Sequence, residues 1–264
     1  MDCDFIKNKI YELSKSSINN STKEILSIND YNFYKKTTAL MIASYFGFND
    51  IAKELIENKA DVNAQDVNGK SAVFFSIEND NIETLDMLIE NKANINIQDS
   101  KGITPLIWAS GNGKTEIVKI LLKNKADINI KNIYGEKAII WASKKDNPEI
   151  LKILIENGAN INEKDEDKCS CAIWAAYNNL VDNMKVLIEN GADINAKNSD
   201  GNNPVMLAAE CGSAETLKVL LENGADLYEK DKYGTTALMW AEMLNKKECV
   251  EILKYYINKG DYIK

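Results

Sequence analysis

Residues 102–131 read GITPLIWASGNGKTEIVKILLKNKADINIK, and this stretch decides the fold. A turn at Gly102 leads into the apolar segment that begins at Pro105. A second apolar segment, from Ile117 to Leu122, follows the short polar link GNGKTE. Two short apolar segments joined by a few polar residues are typical of two antiparallel helices. We therefore predict one turn, a helix pair and an outgoing loop.

The pattern of this stretch recurs every 33 residues on both sides. The turn glycine returns at Gly69, Gly135, Gly201 and Gly234, and lysine replaces it in two copies, at Lys36 and Lys168. A glycine in such a turn indicates backbone with a positive φ. Two residues later most copies carry a short polar side chain that can cap a helix. These positions are Thr38, Ser71, Thr104, Lys137, Ser170, Asn203 and Thr236.

Two further series indicate a stacked core. Small residues stand seven positions after the turn, at Ala43, Ser76, Ala109, Ala142, Ala175, Ala208 and Ala241. Leucines end the second helices, at Leu55, Leu88, Leu121, Leu154, Leu187, Leu220 and Leu253. A fixed period of this length is typical of a repeat protein, in which each copy buries its apolar face against the next.

The chain resembles the ankyrin repeat family. The residues that carry the resemblance are Gly102, Thr104-Pro105-Leu106, Trp108-Ala109, Gly113, Ile117-Val118, Leu121-Leu122 and Ala126-Asp127-Ile128-Asn129. The resemblance implies an all-α fold, a solenoid of stacked helix-turn-helix pairs with short hairpin loops. The family's histidine after Thr-Pro-Leu is absent from every copy. The positions are Met41, Phe74, Ile107, Ile140, Ile173, Met206 and Met239, so other contacts must hold the turns together.

We divide the chain into an N-terminal pair of capping helices, residues 1–32, and a solenoid over residues 33–264. The seven copies are 33–65, 66–98, 99–131, 132–164, 165–197, 198–230 and 231–264. Copies one to three end the second helix with Asn-Lys where copies four to six have Asn-Gly. This position is left-handed in the family, so we expect Lys59, Lys92 and Lys125 to be strained. Copy five is predicted to be the weakest, because polar Asn183 occupies an apolar position.

Composition argues against an enzyme. The 264 residues contain no histidine, and all 32 basic residues are lysine. The chain therefore lacks the commonest general acid–base group and the preferred reader of phosphate and guanine. Cys169-Ser170-Cys171 resembles half of a metal site, but no second cysteine pair supplies the other ligands. We expect no catalytic residues, no cofactor and no metal.

The net charge limits the class of partner that we expect, and the sorting signals and cysteines limit the compartment. The net charge of −8 disfavours nucleic acid and anionic membranes as partners. The sequence shows neither a signal peptide nor a long apolar run, and its five cysteines are scattered. We expect a cytoplasmic protein with reduced thiols, with non-classical export to a host as the alternative.

The resemblance implies that a partner is held by the hairpin tips and the first helices. At these positions the chain carries aromatic residues, which are enriched in binding hot spots. We predict a partner-binding set of Tyr34, Tyr45, Phe46, Tyr134, Lys144, Lys145, Tyr177 and Tyr233. The alternative is that the tyrosines only shield the turns. For Trp108, Trp141, Trp174 and Trp240, at one repeat position, we favour packing in the core over a stacking platform.

The function favoured by these observations is a non-enzymatic module that binds a partner protein or peptide on its concave face. A host-directed effector of a bacterium or virus that masks a host protein is the alternative. An enzyme is disfavoured. We expect a monomer, with an end-to-end dimer as the alternative.

The lysines that end copies three to six, Lys131, Lys164, Lys197 and Lys230, are expected to pair with nearby carboxylates.

Overall fold

A computed structural model describes residues 36–261, and their side chains to residue 259. The predicted capping helices of residues 1–32, and Tyr34, lie outside the described residues. The described chain is helical, with fourteen α-helices in seven successive pairs. The helices are α1 (Ala39–Phe46), α2 (Asn49–Glu57), α3 (Ala72–Glu78), α4 (Ile82–Glu90), α5 (Pro105–Gly111), α6 (Thr115–Lys123), α7 (Ala138–Ser143), α8 (Pro148–Glu156), α9 (Cys171–Tyr177), α10 (Val181–Glu189), α11 (Pro204–Cys211), α12 (Ala214–Glu222), α13 (Ala237–Met243) and α14 (Lys247–Asp261).

Residue contacts divide the chain into two compact units. The first unit contains the described residues up to Ala109 together with Glu116–Asp127, and the second contains Ser110–Thr115 and the described residues from Ile128 onward. In the first unit α1 packs on α3, and α2 on α4. In the second unit the first helices form the row α7, α9, α11 and α13, and the second helices form the row α8, α10, α12 and α14. Within each unit these helices therefore pack on the equivalent helix of the next pair.

The core follows the two series in the sequence. Every leucine of the series that ends the second helices is at most 1% exposed, and every member of the small-residue series is fully buried. The small side chains permit the close approach of neighbouring helices, and each buried leucine contributes about 1.5–3 kcal/mol of transfer free energy. No helix in residues 36–261 combines the length and the apolar character needed to cross a bilayer.

The turns adopt the predicted backbone conformation. The five turn glycines have φ between 72° and 82°, and the two lysines that replace glycine, Lys36 and Lys168, have φ of 65° and 60°. Five of the six short polar side chains at the capping position accept a hydrogen bond from the backbone N–H three residues later. They are Thr38, Thr104, Ser170, Asn203 and Thr236. The Ser71 hydroxyl is buried without a partner in the described part of the chain.

Asparagine side chains and backbone amides take the place of the missing histidine. In the first unit the Asn63 side chain accepts the Asn94 amide at 2.7 Å, and the Ser100 amide donates to the Asn68 carbonyl at 2.7 Å. In the second unit the Asn162 side chain accepts the Asp193 amide at 2.8 Å. Equivalent asparagine bonds join Asn96 to Asp127 and Asn195 to Asp226. Loops of consecutive copies are therefore joined directly.

Candidate functional site

The predicted site residues are divided between the two units. Tyr45 and Phe46 end α1 in the first unit. Tyr134, Lys144, Lys145, Tyr177 and Tyr233 belong to the second unit. Each unit therefore carries its own part of the predicted set.

In the first unit the aromatic residues form a cluster. The rings of Tyr45 and Phe46 meet edge to face at 5.1 Å between centroids. Phe75 of α3 approaches the Tyr45 ring edge-on at 6.5 Å, and Phe48 stacks on Phe46 at 5.7 Å. Tyr45 remains 37% exposed. The cluster therefore holds the ring of Tyr45 in place while leaving part of it accessible.

The carbonyl of Tyr45 is also occupied. It accepts hydrogen bonds from the side chains of Asn79 and Asn81, at 2.9 and 2.7 Å. Asn81 also donates to the Ser44 carbonyl at 2.8 Å. Carbonyls at the end of a helix have no partner within the helix. The following copy supplies partners here, which fixes the end of α1 that presents Tyr45.

The tryptophans do not lie in the fully buried core, contrary to our expectation. Trp108, Trp141, Trp174 and Trp240 are all half-buried. In the second unit the indole N–H of Trp174 donates to the Asp165 carboxylate at 2.9 Å, and that of Trp240 to Asp231 at 3.1 Å. An indole N–H needs a partner when it leaves water, and the turn provides a carboxylate. These tryptophans link the first helix to its own hairpin turn.

The turn of copy four reaches the same arrangement with different residues. Asn132 stands where copies five and seven have Asp165 and Asp231, and an amide offers no carboxylate. Glu136 supplies it, because its Oε2 accepts the Trp141 indole N–H at 2.7 Å. The Asn132 side chain also donates to Glu136 at 2.7 Å. The change from aspartate to asparagine is therefore compensated four residues later.

Lys144 completes a small cluster with Glu136 and Trp174. Its ammonium forms an ion pair with Glu136 and lies 3.9 Å from the centroid of the Trp174 ring. Burial alone would raise the pKa of the Glu136 carboxyl, but the hydrogen bonds from Lys144, Asn132 and Trp141 together lower it. Tyr177 meets Trp174 edge to face at 6.0 Å. The structure thus brings two predicted residues, Lys144 and Tyr177, together around Trp174.

The remaining predicted residues of the second unit stand apart from that cluster. Tyr134 and Tyr233 occupy hairpin tips and are 52% and 76% exposed. The Lys232 ammonium lies 5.0 Å from the centroid of the Tyr233 ring and pairs with Asp200. Lys145 is exposed, and its carbonyl accepts a hydrogen bond from Asn183. The tips and the first helices therefore present separate aromatic contacts.

Two of the lysines that end a copy are paired as expected. Lys131 and Lys137 both reach the Glu163 carboxylate, at 2.9 and 2.8 Å, and Lys197 reaches Glu229 at 2.5 Å. Burial would raise the pKa of Glu163, but hydrogen bonds from Lys137 and Lys131 lower it. In these two copies the lysine that ends the copy is therefore part of the loop structure.

The two thiols of copy five are held un-ionised. Cys169 and Cys171 are buried, which raises their pKa values to about 11 and about 12. A thiol must ionise to act as a nucleophile or to bind a metal. Within the described residues no three side chains of the metal-binding types come together.

Sequence reasoning missed the tryptophan–carboxylate contacts and Phe75. The sequence separation could have indicated these contacts, because an acidic residue precedes Trp174 and Trp240 by nine positions and Trp141 by five. The repeat period places these residues on one turn and one helix. It does not say that their side chains meet.

Comparison with known proteins identifies the architecture. A family model described as ankyrin repeats (3 copies) matches residues 11–99, 92–165 and 172–262. Among solved structures, the crystal structure of the human ASB11 ankyrin repeat domain is similar, with a TM-score of 0.76 and 25% sequence identity. That match covers 83% of this chain and 98% of the ASB11 domain. No curated protein matches the chain at a significant level.

Proposed function

We propose that this chain, which belongs to the ankyrin repeat family, is a protein-binding module that uses the first helices and hairpin tips of its second unit. Ankyrin repeats are generally protein–protein interaction modules. The observation that carries the proposal is the set of exposed aromatic residues in that unit. Tyr134, Tyr177 and Tyr233 are 52%, 47% and 76% exposed.

The surroundings of these tyrosines support binding. Tyrosine gives a large apolar contact area with a polar tip and few rotatable bonds, so it loses little entropy when a partner covers it. Tyr177 is held against Trp174, whose indole N–H is bonded to Asp165. A side chain that is already positioned costs less to order on binding. Tyr177 is therefore the proposed anchor.

Lys144 and Lys145 determine which charge we expect on the partner. Lys144 forms an ion pair with Glu136 and lies over the Trp174 ring, so it neutralises the Glu136 carboxylate. Lys145, next to it, is exposed. We expect a partner segment with an apolar or aromatic side chain against Tyr177 and a carboxylate near Lys145. In the first unit Tyr45 occupies the repeat position of Tyr177 and is proposed to contact a partner in the same way.

The test compares two triple variants in affinity capture from a lysate of the organism that encodes the protein. The first variant replaces Tyr134, Tyr177 and Tyr233 with alanine. The matched control replaces Tyr228 and Tyr255, which are 58% and 60% exposed but stand at other repeat positions, together with Tyr256. A protein captured by the wild type and the control but lost from the first variant supports the proposal. A protein retained by both variants contradicts the choice of face.

A single variant tests the charge preference. Lys145→Glu reverses an exposed charge without touching the buried contacts of Lys144. We expect it to weaken binding of the captured protein by about tenfold, which corresponds to roughly 1.4 kcal/mol. Unchanged affinity at low salt would show that Lys145 does not contact the partner.

A further inference from the structure

We infer that the second helices of the first unit form a separate docking groove for a basic amphipathic segment of a partner protein. A groove of about 830 Å³ lies between α2 and α4. Its lining residues are Lys53, Ile56, Glu57, Ile82, Glu83, Asp86, Met87, Glu90 and Asn91. None of them belongs to the aromatic face proposed above.

The floor of the groove is apolar. Ile56, Ile82 and Met87 line it, and Ile82 is 37% exposed although it is aliphatic. At the repeat position of Ile82 the other copies have Asn49, Thr115, Pro148, Val181, Ala214 and Lys247, so Ile82 is the largest aliphatic side chain there. Exposed apolar surface with a polar rim is typical of an interaction site. The floor therefore favours an occupant with an apolar side.

The rim of the groove is acidic. Four carboxylates, of Glu57, Glu83, Asp86 and Glu90, face a single lysine, Lys53. Glu57, Asp86 and Glu90 make no ion pair within residues 36–261. The excess of negative charge attracts a cationic occupant.

The acidic rim arises from a change at one repeat position. Five copies have lysine where this copy has Asp86, at Lys53, Lys119, Lys152, Lys185 and Lys218. In three of those copies the lysine pairs with the acid that opens the helix, as Lys185 does with Asp182 at 3.1 Å. In copy two the equivalent residues, Glu83 and Asp86, are both acidic. Copy seven, with Glu248 and Glu251, is the one other copy that has two acids at these positions.

A second cavity extends the groove. It has a volume of about 420 Å³, and Gly47, Phe48, Asn49, Asp50, Ile51 and Glu83 line it. Glu83 belongs to both cavities, so they adjoin there. Helices α2 and α4 contain nine residues each, which is a length of about 13 Å. An occupant of two to three helical turns matches this length, with apolar residues on one side and lysine or arginine on the other.

The test measures binding of a labelled probe by fluorescence anisotropy. The probe is a peptide of about 11 residues, or three helical turns, with leucine on one helical face and lysine on the other, and an otherwise identical peptide with glutamate for lysine is the control. The protein variant is Asp86→Lys with Glu90→Lys. Lysine at position 86 is the residue of five other copies and can pair with Glu83, so we expect the variant to fold.

The matched protein control is Glu156→Lys with Glu189→Lys. Both residues occupy the repeat position of Glu90, in other copies, and both are exposed. A third variant, Ile82→Thr, replaces the apolar Ile82 of the groove floor with threonine, the residue that copy three has at the equivalent position, Thr115. We expect the groove variant to bind the basic peptide at least about tenfold more weakly than the wild type, and the control within about twofold. Ile82→Thr should weaken binding several-fold with no change in its salt dependence.

Other outcomes overturn the inference. If the groove variant and the control lose affinity for the basic peptide equally, the peptide is attracted by the net negative charge of the protein and not by the groove. Equal binding of the acidic and basic peptides would contradict the charge argument. A wild-type dimer that Asp86→Lys with Glu90→Lys dissociates would make a second copy of the chain the occupant. Each result can be obtained whether or not the aromatic face binds a partner.

Discussion

The side-chain amide of Asn183 in α10 donates a hydrogen bond of 2.6 Å to the backbone carbonyl of Lys145, in the preceding copy. It also donates to the Ala142 carbonyl at 3.3 Å. Six of the seven first helices are followed by a residue with positive φ, and copy four, with Asp146 at that position, is the exception. The Asn183 side chain caps the end of α7 where that residue is missing, which explains a polar group at an apolar position.

We predict that Asn183→Ile destabilises the protein, although isoleucine is the residue of copies one, three and four. The substitution leaves the carbonyls of Ala142 and Lys145 without this donor. It also removes the Asn183 Oδ1 atom, which is buried and unpaired among the described residues. We expect the balance to lower the free energy of unfolding by about 1–2 kcal/mol, measured by urea denaturation.

The matched control is Thr216→Ile, at the same position one copy later. Thr216 donates to the side chain of Asn179, which is exposed, so water can replace the lost bond. A smaller effect is expected there. A more stable Asn183→Ile variant would contradict the capping role and would support our expectation that copy five is weakened by its polar residue.

We predict that Lys92→Gly stabilises the protein. Lys92 has φ of 64°, as expected from the sequence, and a residue with a Cβ is strained in this conformation. Glycine should raise the free energy of unfolding by about 1 kcal/mol, or the Tm by about 2–4 °C. The reciprocal change, Gly158→Lys, should lower the Tm by a similar amount. Nothing lies within 4 Å of a Cβ built at Gly158, so only the backbone contributes. Two unchanged Tm values would show that the strain is negligible.

We predict a pH-dependent contribution from Glu136. Its pKa is lowered below 4.5 in the folded protein, so the stabilisation is present above that pH and is lost as the pH falls through the folded pKa. Glu136→Gln should lower the free energy of unfolding by about 1–2 kcal/mol at pH 7, because the bond to Lys144 loses its charge. The difference from the wild type should shrink as the pH falls through the folded pKa of Glu136. An exposed carboxyl, tested by Glu156→Gln, should show little effect at either pH.

We predict that Cys169 and Cys171 resist alkylation in the folded protein. Burial raises the pKa of both thiols to about 11 and about 12, so the thiolate fraction at pH 8 is very small. Iodoacetamide followed by peptide mapping should find both unmodified under native conditions and modified in guanidinium chloride. Rapid native modification of Cys171 would mean that copy five opens locally, as its sequence suggested.

The sequence by itself determined the repeat, its helix pairs, the left-handed turns and the buried leucine and alanine series. These features depend on local preferences and on a period that places equivalent residues in equivalent surroundings. Lys92 and Lys168 show this well, since both adopt positive φ at the positions that the period assigns to glycine.

Only the tertiary structure decided which polar side chains meet. The tryptophans were expected in the core, but the indole N–H of Trp174 requires an acceptor, and Asp165 lies nine residues away on the turn. Asn183 was expected to weaken its copy, but it reaches a carbonyl 38 residues earlier. A repeat period fixes where a residue stands. The side-chain length, the rotamer and the vacant donors and acceptors of the neighbouring copy decide what it contacts, and these are set only when the copies pack.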